Sequence, residues 1–458
     1  MTSAPLKLNT GLDSNLENGG FDPHDPPPQA GIDACVHCGF CLTTCPSYRV
    51  IGKETDSPRG RIYLMDAINK GEAPLSPISV SHFDSCLGCL ACTTACPSGV
   101  PYDQLIGAVR AQVQRNHPRS LPEQAIRRLI FSLFPYPDRI RLLLAPLALY
   151  QRLGLSALLQ KTGLLKKVSP NLAAMETLLP PVTPSCFQDN LPEHVPAQGE
   201  RRYRVGMILG CVQRVFFSGV NEATARVLSA NGCDVIIPKA QGCCSALPQH
   251  QGEEAQAQAL ARQMIDSFAE AEQAGSLDYI IINAAGCGHT LKEYDHILRH
   301  DNAYRDRAKA FSGKVRDVQE FLAEVGLTAT LYPLQDAPLT LVYQDACHLL
   351  HGQKISAPPR QLLRQIPGVT LQEPIDAALC CGSAGVYNML QPEVAAELGQ
   401  MKATNLVNTG ASLIVSPNPG CALQIQQHLR LQGQCLSVRH PMQLLDQSIR
   451  GDRLPTAL

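Results

Sequence analysis

Nineteen cysteines stand among 458 residues, and two groups of them repeat one spacing. The first runs Cys35-Val36-His37-Cys38-Gly39-Phe40-Cys41-Leu42-Thr43-Thr44-Cys45-Pro46. The second runs Cys86-Leu87-Gly88-Cys89-Leu90-Ala91-Cys92-Thr93-Thr94-Ala95-Cys96-Pro97. Each is C-x2-C-x2-C-x3-C-P, the run whose thiolates hold [4Fe–4S] clusters, with the fourth cysteine reaching the other cluster of a pair. Three thiolates two residues apart on a curled loop can meet three corners of one cube. The fourth, a helical turn later, points the other way. That rule assigns one cluster to Cys35, Cys38, Cys41 and Cys96, and the other to Cys86, Cys89, Cys92 and Cys45. Pro46 and Pro97 stop the local helix and turn the chain. Zinc is the competing chemistry, because paired C-x2-C also binds zinc. A zinc site has no use for the x3-C-P ending. Two clusters in one small module imply one-electron transfer, tuned by hydrogen bonds to sulfur and by burial. Gly39 and Gly88 let backbone N–H groups approach sulfur. His37 is expected to be a solvent-facing loop residue.

Eight further cysteines recur in a fixed order. Cys211, Cys243, Cys244 and Cys287 are followed by Cys347, Cys380, Cys381 and Cys421, at offsets of 136, 137, 137 and 134 residues. Landmarks that move together mark a duplicated unit. Their spacing fits no simple zinc knuckle. They form an additional candidate redox site if each set converges, and a structural remnant if it does not. His289, His348 and His351 are read as satisfied polar residues rather than ligands. Cys186, Cys233 and Cys435 are assigned to packing.

The elements that must position these groups follow from pattern. Short β-branched runs (Val205–Leu209, Asp234–Pro238, Tyr279–Asn283, Leu339–Tyr343, Leu413–Ser416) alternate with amphipathic segments such as Asn221–Ala230 and Glu253–Ala271. That alternation predicts α/β halves with parallel sheets. The repeat cysteines fall just after strand ends, where such sheets place ligands. Between the cluster loops, Asp56 or Ser57 can cap a helix with Pro58 in its first turn and an apolar face through Ile62, Met65 and Ala67. Arg59 and Arg61 either offset cluster charge or belong to a solvated helix start. From Gln124 to Lys167 eight basic side chains (Arg127, Arg128, Arg139, Arg141, Arg152, Lys161, Lys166, Lys167) face one acid, Asp138. Pro135, Pro137 and Pro146 are expected to break this leucine-rich stretch into short helices. It can lie on an anionic membrane surface or pack on protein. Residues 168–200 are Pro-rich and predict a linker.

Composition limits the rest. A net charge of −1, from 39 basic and 40 acidic residues, argues against general nucleic-acid binding. No apolar run of membrane-spanning length is present. The first 31 residues lack an apolar secretory segment, so no export leader is expected. Reducing compartments keep thiols free, so this cysteine count points to metal or redox use in a cytoplasmic protein rather than to disulfides.

The second half of the chain resembles the duplicated cysteine-rich (CCG) domain of heterodisulfide-reductase-type proteins. With the two upstream motifs, the chain resembles the iron–sulfur subunit of glycolate oxidase (glycolate dehydrogenase) from about residue 28 to about 445. The signatures are Cys35–Cys41, Ser57-Pro58-Arg59-Gly60-Arg61, Gly210-Cys211-Val212, Cys347-His348-Leu349 and Cys380-Cys381-Gly382-Ser383-Ala384-Gly385. The fullest CCG pattern closes each half with C-x-x-C. Here the halves end Cys287-Gly288-His289-Thr290 and Cys421-Ala422-Leu423-Gln424, and the first has Cys243-Cys244-Ser245 in place of C-C-G.

The resemblance implies an α+β multidomain chain: a tail over 1–27 expected to be disordered, an α-helical two-[4Fe–4S] ferredoxin-like domain over 28–115, a basic helical segment and linker over 116–200, and two α/β, Rossmann-like CCG domains over 201–325 and 336–445. It implies two [4Fe–4S] clusters, with a further cluster in the repeat left open. It implies an FAD-containing subunit that oxidises glycolate to glyoxylate, a further flavoprotein-like subunit, and a quinone-type acceptor. No G-x-G-x-x-G opens a helix after a strand, so this chain is expected to carry electrons and not to catalyse alone. Iron–sulfur subunits of anaerobic glycerol-3-phosphate or D-lactate dehydrogenases, and heterodisulfide-reductase-like subunits, are the alternatives. Peripheral contact with the cytoplasmic face of a membrane is also left open.

Overall fold

The computed structural model describes residues 20–188 and 190–454, with the side chains of Gln160 and Lys166 also outside the description. Residues 1–19 of the expected 1–27 tail therefore lie outside the described residues, as does the side chain of Lys166 in the basic segment. The chain divides into two compact units. One contains the described residues up to Gln124 together with Gln249–Glu254, and the other contains 125–248 and 255–454.

The first unit is helical, with no strand among its described residues. Its core gathers Phe21, Ile32, Ile62, Met65, Ile68, Phe83, Leu105, Ile106 and Val109. Phe21 falls inside the segment expected to be a disordered tail, yet it is 1% exposed. One aromatic ring buried in a small core, with Asp22 accepting from Arg115 and Asn116 beside it, is enough to fix the chain there. The helix between the cluster loops is Pro58–Asn69, and Ser57 caps it by accepting from the Gly60 N–H at 3.0 Å. Its buried face is Ile62, Met65 and Ile68, with Ala67 only half-buried. Gly60 is required here, because a Cβ would lie 2.0 Å from the Glu54 carbonyl oxygen.

The second unit is a helix-rich mixed α/β structure with two sheets. The strands are β1 His194–Val195, β2 Tyr203–Ile208, β3 Cys233–Ile236, β4 Tyr279–Ile282, β5 Val315–Asp317, β6 Leu339–Tyr343, β7 Val369–Gln372, β8 Leu413–Val415 and β9 Ser437–Arg439. The orders are β1-β3-β2-β4-β5 and β7-β6-β8-β9. All pairings are parallel except that of β1 with β3. Without the edge strand β1, the two sheets have the same order. The duplication read from the cysteines is therefore a duplication of topology. The halves share one apolar core, in which Met207, Val227, Phe321 and Ile281 meet Leu341, Tyr343, Leu413 and Leu445.

The basic segment differs from expectation at Pro146, which lies inside the helix Pro137–Arg152 rather than ending it. A proline removes one N–H and crowds the carbonyl four residues back. Here that residue is Leu142, on an exposed face where water can take the freed carbonyl. The expected Pro-rich linker also contains structure, a helix over Pro170–Thr177 and a 3-10 turn over Pro184–Phe187. Cys186 and Cys233 are buried as expected, but Cys435 is exposed, because it sits on the turn after the helix Pro419–Leu431.

Candidate iron–sulfur sites

In the first unit the two cysteine loops are near copies in backbone. Cys45 follows the helix Phe40–Thr44 and Cys96 follows Ala91–Ala95, with φ/ψ of −79/114° and −82/114°. Each thus leaves its helix in extended conformation and turns from its own loop. Each loop also places two residues in the left-handed region, at matching positions: His37 (φ 53°) and Gly39 (86°) in one, Gly88 (64°) and Leu90 (63°) in the other. Such turns aim successive N–H groups into an anion-binding concavity. Glycine stands at only one of the two positions in each loop.

Two cavities result. One is lined by Cys35, Cys38, Cys41, Cys92 and Cys96, with about 420 Å³ of empty space including its open side. The other is lined by Cys45, Cys86, Cys89 and Cys92, with about 270 Å³. Cys96 lines the cavity of the first loop and Cys45 that of the second, while Cys92 borders both. The metal-binding side chains lining the cavities are these thiols, with His37 also on the wall of the first, and no disulfide ties up any of the cysteines. Among the described residues no three His, Cys, Asp or Glu donors are arranged around a single metal ion. A cube holds its ligands at spread corners, so donors that line a cavity suit it better than donors that meet at a point. The residues present fit two [4Fe–4S] groups.

Arginines back both loops. Arg59 Nη1 donates to the His37 carbonyl at 3.0 Å, and a Cβ on Gly39 would lie 3.0 Å from that nitrogen. Arg110 donates to the Cys86 carbonyl, and a Cβ on Gly88 would meet its Nη1 at 2.9 Å. The two glycines therefore make room for guanidinium groups as well as for backbone turns. Arg61 lines the second cavity and is fully buried, so it is no solvated helix start. Its Nε donates to the His82 carbonyl at 2.6 Å, and its Nη2 donates to Ser47 Oγ at 3.0 Å and Ser85 Oγ at 2.8 Å. Asp56, 3.8 Å away, completes the network by accepting from Ser85 at 2.6 Å. Burial pushes the Cys86 thiol up, but Arg61 and Arg110 outweigh it and hold the thiol below its ordinary value. His37 is exposed, as expected.

In the second unit each repeat brings its four cysteines together. Side-chain contacts run Cys211–Cys243–Cys244–Cys287 in the first half, with the Sγ atoms of Cys211 and Cys243 at 3.5 Å. They run Cys347–Cys380–Cys381–Cys421 in the second. Ser245 takes the left-handed conformation (φ 65°) that Gly382 takes (86°) at the matching position, so C-C-S folds as C-C-G does. The halves meet beside these sets. The rings of His289 and His348 lie 5.0 Å apart, and the Ala285 N–H donates to the Pro417 carbonyl at 3.3 Å. All three histidines are buried, and burial pulls His289 down to about 3.

Sequence reasoning missed Arg110, Tyr102 and Lys402. Tyr102 donates to Cys86 Sγ at 3.7 Å. Lys402 is fully buried, and its Nζ donates to the Ala377 carbonyl at 2.7 Å. Burial pulls its pKa down, while Asp345 and the thiols of Cys381, Cys380 and Cys421 pull it back up. The available signal was a lysine standing at core spacing in an otherwise apolar helical stripe.

Known proteins match along most of the chain. A family model described as a 4Fe-4S dicluster domain matches residues 31–100, and one described as a cysteine-rich domain (CCG) matches 205–292 and 341–426. A model of the glycolate oxidase iron-sulfur subunit linker region matches 122–179. A Bacillus subtilis protein named probable glycolate oxidase iron-sulfur subunit is 39% identical, over 88% of this chain and 90% of that one. The Escherichia coli glycolate oxidase iron-sulfur subunit is 34% identical, over 92% and 95%. A lactate utilization protein A from an Exiguobacterium strain is 26% identical over 54% of this chain and 98% of its own length.

Proposed function

The chain belongs to the family of glycolate oxidase iron–sulfur subunits, and from that premise we propose that it passes electrons singly from a flavin-bearing, glycolate-oxidising partner to a quinone-type acceptor. The observation that carries this reading is the pair of thiol-lined cavities that share Cys92. Cys35, Cys38, Cys41 and Cys96 would hold one cluster, and Cys86, Cys89, Cys92 and Cys45 the other. Bound there, [4Fe–4S] groups supply one-electron steps with no group transfer. The protein's own contribution is positional and electrostatic. Arg59 and Arg110 fix the loop carbonyls, and Arg61 sets a buried positive charge beside the second cavity. A flavin partner delivers an electron pair, and two adjacent sites let that pair leave one electron at a time. The test is anaerobic reconstitution with and without the flavoprotein. Glycolate-dependent quinone reduction should need both. Dye-linked glycolate oxidation by the isolated chain would overturn the reading.

We also place the chain at the cytoplasmic face of an anionic membrane. No helix among the described residues is long and apolar enough to cross one. Instead, Leu142, Pro146, Leu149 and Leu153 form one exposed stripe on and just past the helix Pro137–Arg152, continued by Leu155 and Leu158. Exposed Arg139, Arg152 and Lys161 flank it. Protein interfaces favour aromatic anchors and disfavour lysine, whereas leucine with Lys and Arg suits an anionic lipid surface.

A further inference from the structure

The two ferredoxin-type loops share a backbone but not an environment. In the second loop the apolar residues beside the ligands are covered by the chain itself, with Leu87 6% exposed and Ala91 4%. At the matching positions of the first loop, Val36 is 68% exposed and Phe40 63%. The thiols divide the same way. Cys45, Cys86, Cys89 and Cys92 are buried, whereas Cys38 is exposed and Cys35, Cys41 and Cys96 are half-buried. Every residue lining the second cavity is buried, while Val36, His37, Cys38, Phe40 and Pro97 bring the wall of the first to the surface. The patch extends beyond the loop. Exposed Tyr63, on the helix Pro58–Asn69, meets the His37 ring edge to face with centroids 6.4 Å apart. Arg59, which holds the His37 carbonyl, adds an ion pair with Glu54 at 2.8 Å.

Apolar and aromatic side chains held at the surface, with an ion pair at their edge, have the composition of a protein interface. The stripe of Leu142, Leu149 and Leu153 differs, since there leucine runs beside Arg and Lys as on a lipid-facing surface. A quinone ring would need a concave slot, and the concavity here is the one lined by cluster-binding thiols. The site beneath the patch is a redox site, so the protein that fits over it is an electron carrier. We infer that Val36, His37, Phe40 and Tyr63 are the docking surface for the flavin-bearing partner. Electrons then enter at the cavity of Cys35, Cys38, Cys41 and Cys96 and pass inward to that of Cys86, Cys89, Cys92 and Cys45. The inference rests on the electron-carrying reading and deepens it by giving the path a direction. The transfer balances as two one-electron steps. The partner's reduced flavin loses two electrons in turn, its protons go to water, and each electron reduces the outer site and then the inner one. No bond forms between the proteins.

The experiment uses the full chain, reconstituted anaerobically, with the glycolate-oxidising flavoprotein as the probe. The variants are Phe40→Glu with Tyr63→Glu, and Tyr63→Glu alone, which lies away from the ligands and decides the matter if the pair loses iron. Each should keep the wild type's two ferredoxin-type EPR signals, about eight irons' worth. A viologen dye, which needs no docking surface, should reduce both clusters as in the wild type. The flavoprotein should bind the double variant at least about tenfold more weakly. Glycolate-dependent reduction of the clusters should slow at low flavoprotein concentration and recover in excess. Leu142→Glu with Leu149→Glu should leave flavoprotein binding unchanged. Wild-type affinity in both patch variants, or loss of flavoprotein binding in the Leu142/Leu149 variant instead, overturns the inference and leaves the electron-carrying reading standing. Weaker binding of the patch variants to anionic vesicles, with flavoprotein affinity unaltered, would make the patch lipid-facing and overturn it too. A cluster-loaded wild type that the flavoprotein and glycolate fail to reduce would strike at the electron-carrying reading itself.

Discussion

Arg61 is the residue whose replacement should separate charge from geometry at the second cavity. Its guanidinium is fully buried and donates to the His82 carbonyl, Ser47 Oγ and Ser85 Oγ, with Asp56 nearby. Arg61→Met removes the cation and leaves those acceptors and a buried carboxylate without it. Breaking a buried charge pair from one side costs about 3–5 kcal/mol, so the variant should unfold at clearly lower denaturant. The charge also acts on an electron added in the cavity that Arg61 lines. At a separation on the order of 5 Å and an effective dielectric of about 20, the interaction is about 3 kcal/mol. Without Arg61, one cluster should be harder to reduce by about two decades in its equilibrium ratio. Arg61→Lys keeps the charge but not the forked geometry. It should lose stability while keeping most of the potential. EPR-monitored redox titration, paired with anaerobic urea unfolding, reads both quantities. If Arg61→Met leaves every cluster's potential unchanged, the argument that buried guanidinium charge tunes this site is wrong.

Three further outcomes follow from the same structure. If the ligand sets cross between loops, Cys35→Ser with Cys96→Ser should remove about four irons, whereas Cys35→Ser with Cys45→Ser should remove about eight; equal losses would refute the crossing. Leu142→Glu with Leu149→Glu changes two exposed side chains and should cost little stability, yet weaken cosedimentation with anionic vesicles at least about a hundredfold, since each buried leucine contributes roughly 1.5–3 kcal/mol. Binding that is salt-insensitive and indifferent to this variant would reject a membrane face, and loss of a co-purifying subunit instead would point to a protein partner. Asp317 caps the helix Val318–Val325 and is fully buried, with Oδ2 lacking a hydrogen-bond partner. Burial pushes its carboxyl up to about 6, although the Gln319 N–H and side chain oppose this. The folded state therefore binds this proton more tightly than the unfolded chain does. That contribution is complete below about pH 4 and is lost as pH rises through about 6. Asp317→Asn keeps the capping acceptor and should be more stable than the parent at pH 8 by up to about 3 kcal/mol, with the gap about halved at pH 5 and closed below about pH 4. A gap independent of pH, measured by urea unfolding, would show that the carboxyl is ionised in the fold.

The ferredoxin-type cysteines were legible because their arrangement is local. Twelve residues carry the donors, the turns and the closing proline of each loop, so spacing alone indicates which thiols face together. The duplication was legible for a related reason: the cysteines and the β-branched runs beside them keep their order over about 136 residues, and parallel α/β order leaves that period in the sequence. What stands behind the loops was not legible. Arg61 and Arg110 look like ordinary charges on amphipathic helices, and only the packing of helix against loop turns them inward. Pro146 looks like a helix end, but an exposed carbonyl four residues back lets the helix continue. Whether four repeat cysteines meet is decided by sheet register, which brings residues 32 to 43 positions apart into contact and which no local spacing encodes. The sequence by itself determined the chemistry, because donors and their local turns are written along the chain. Tertiary structure decided the electrostatics, because the charge around a buried thiolate depends on side chains that arrive from elsewhere, and burial makes each of them count.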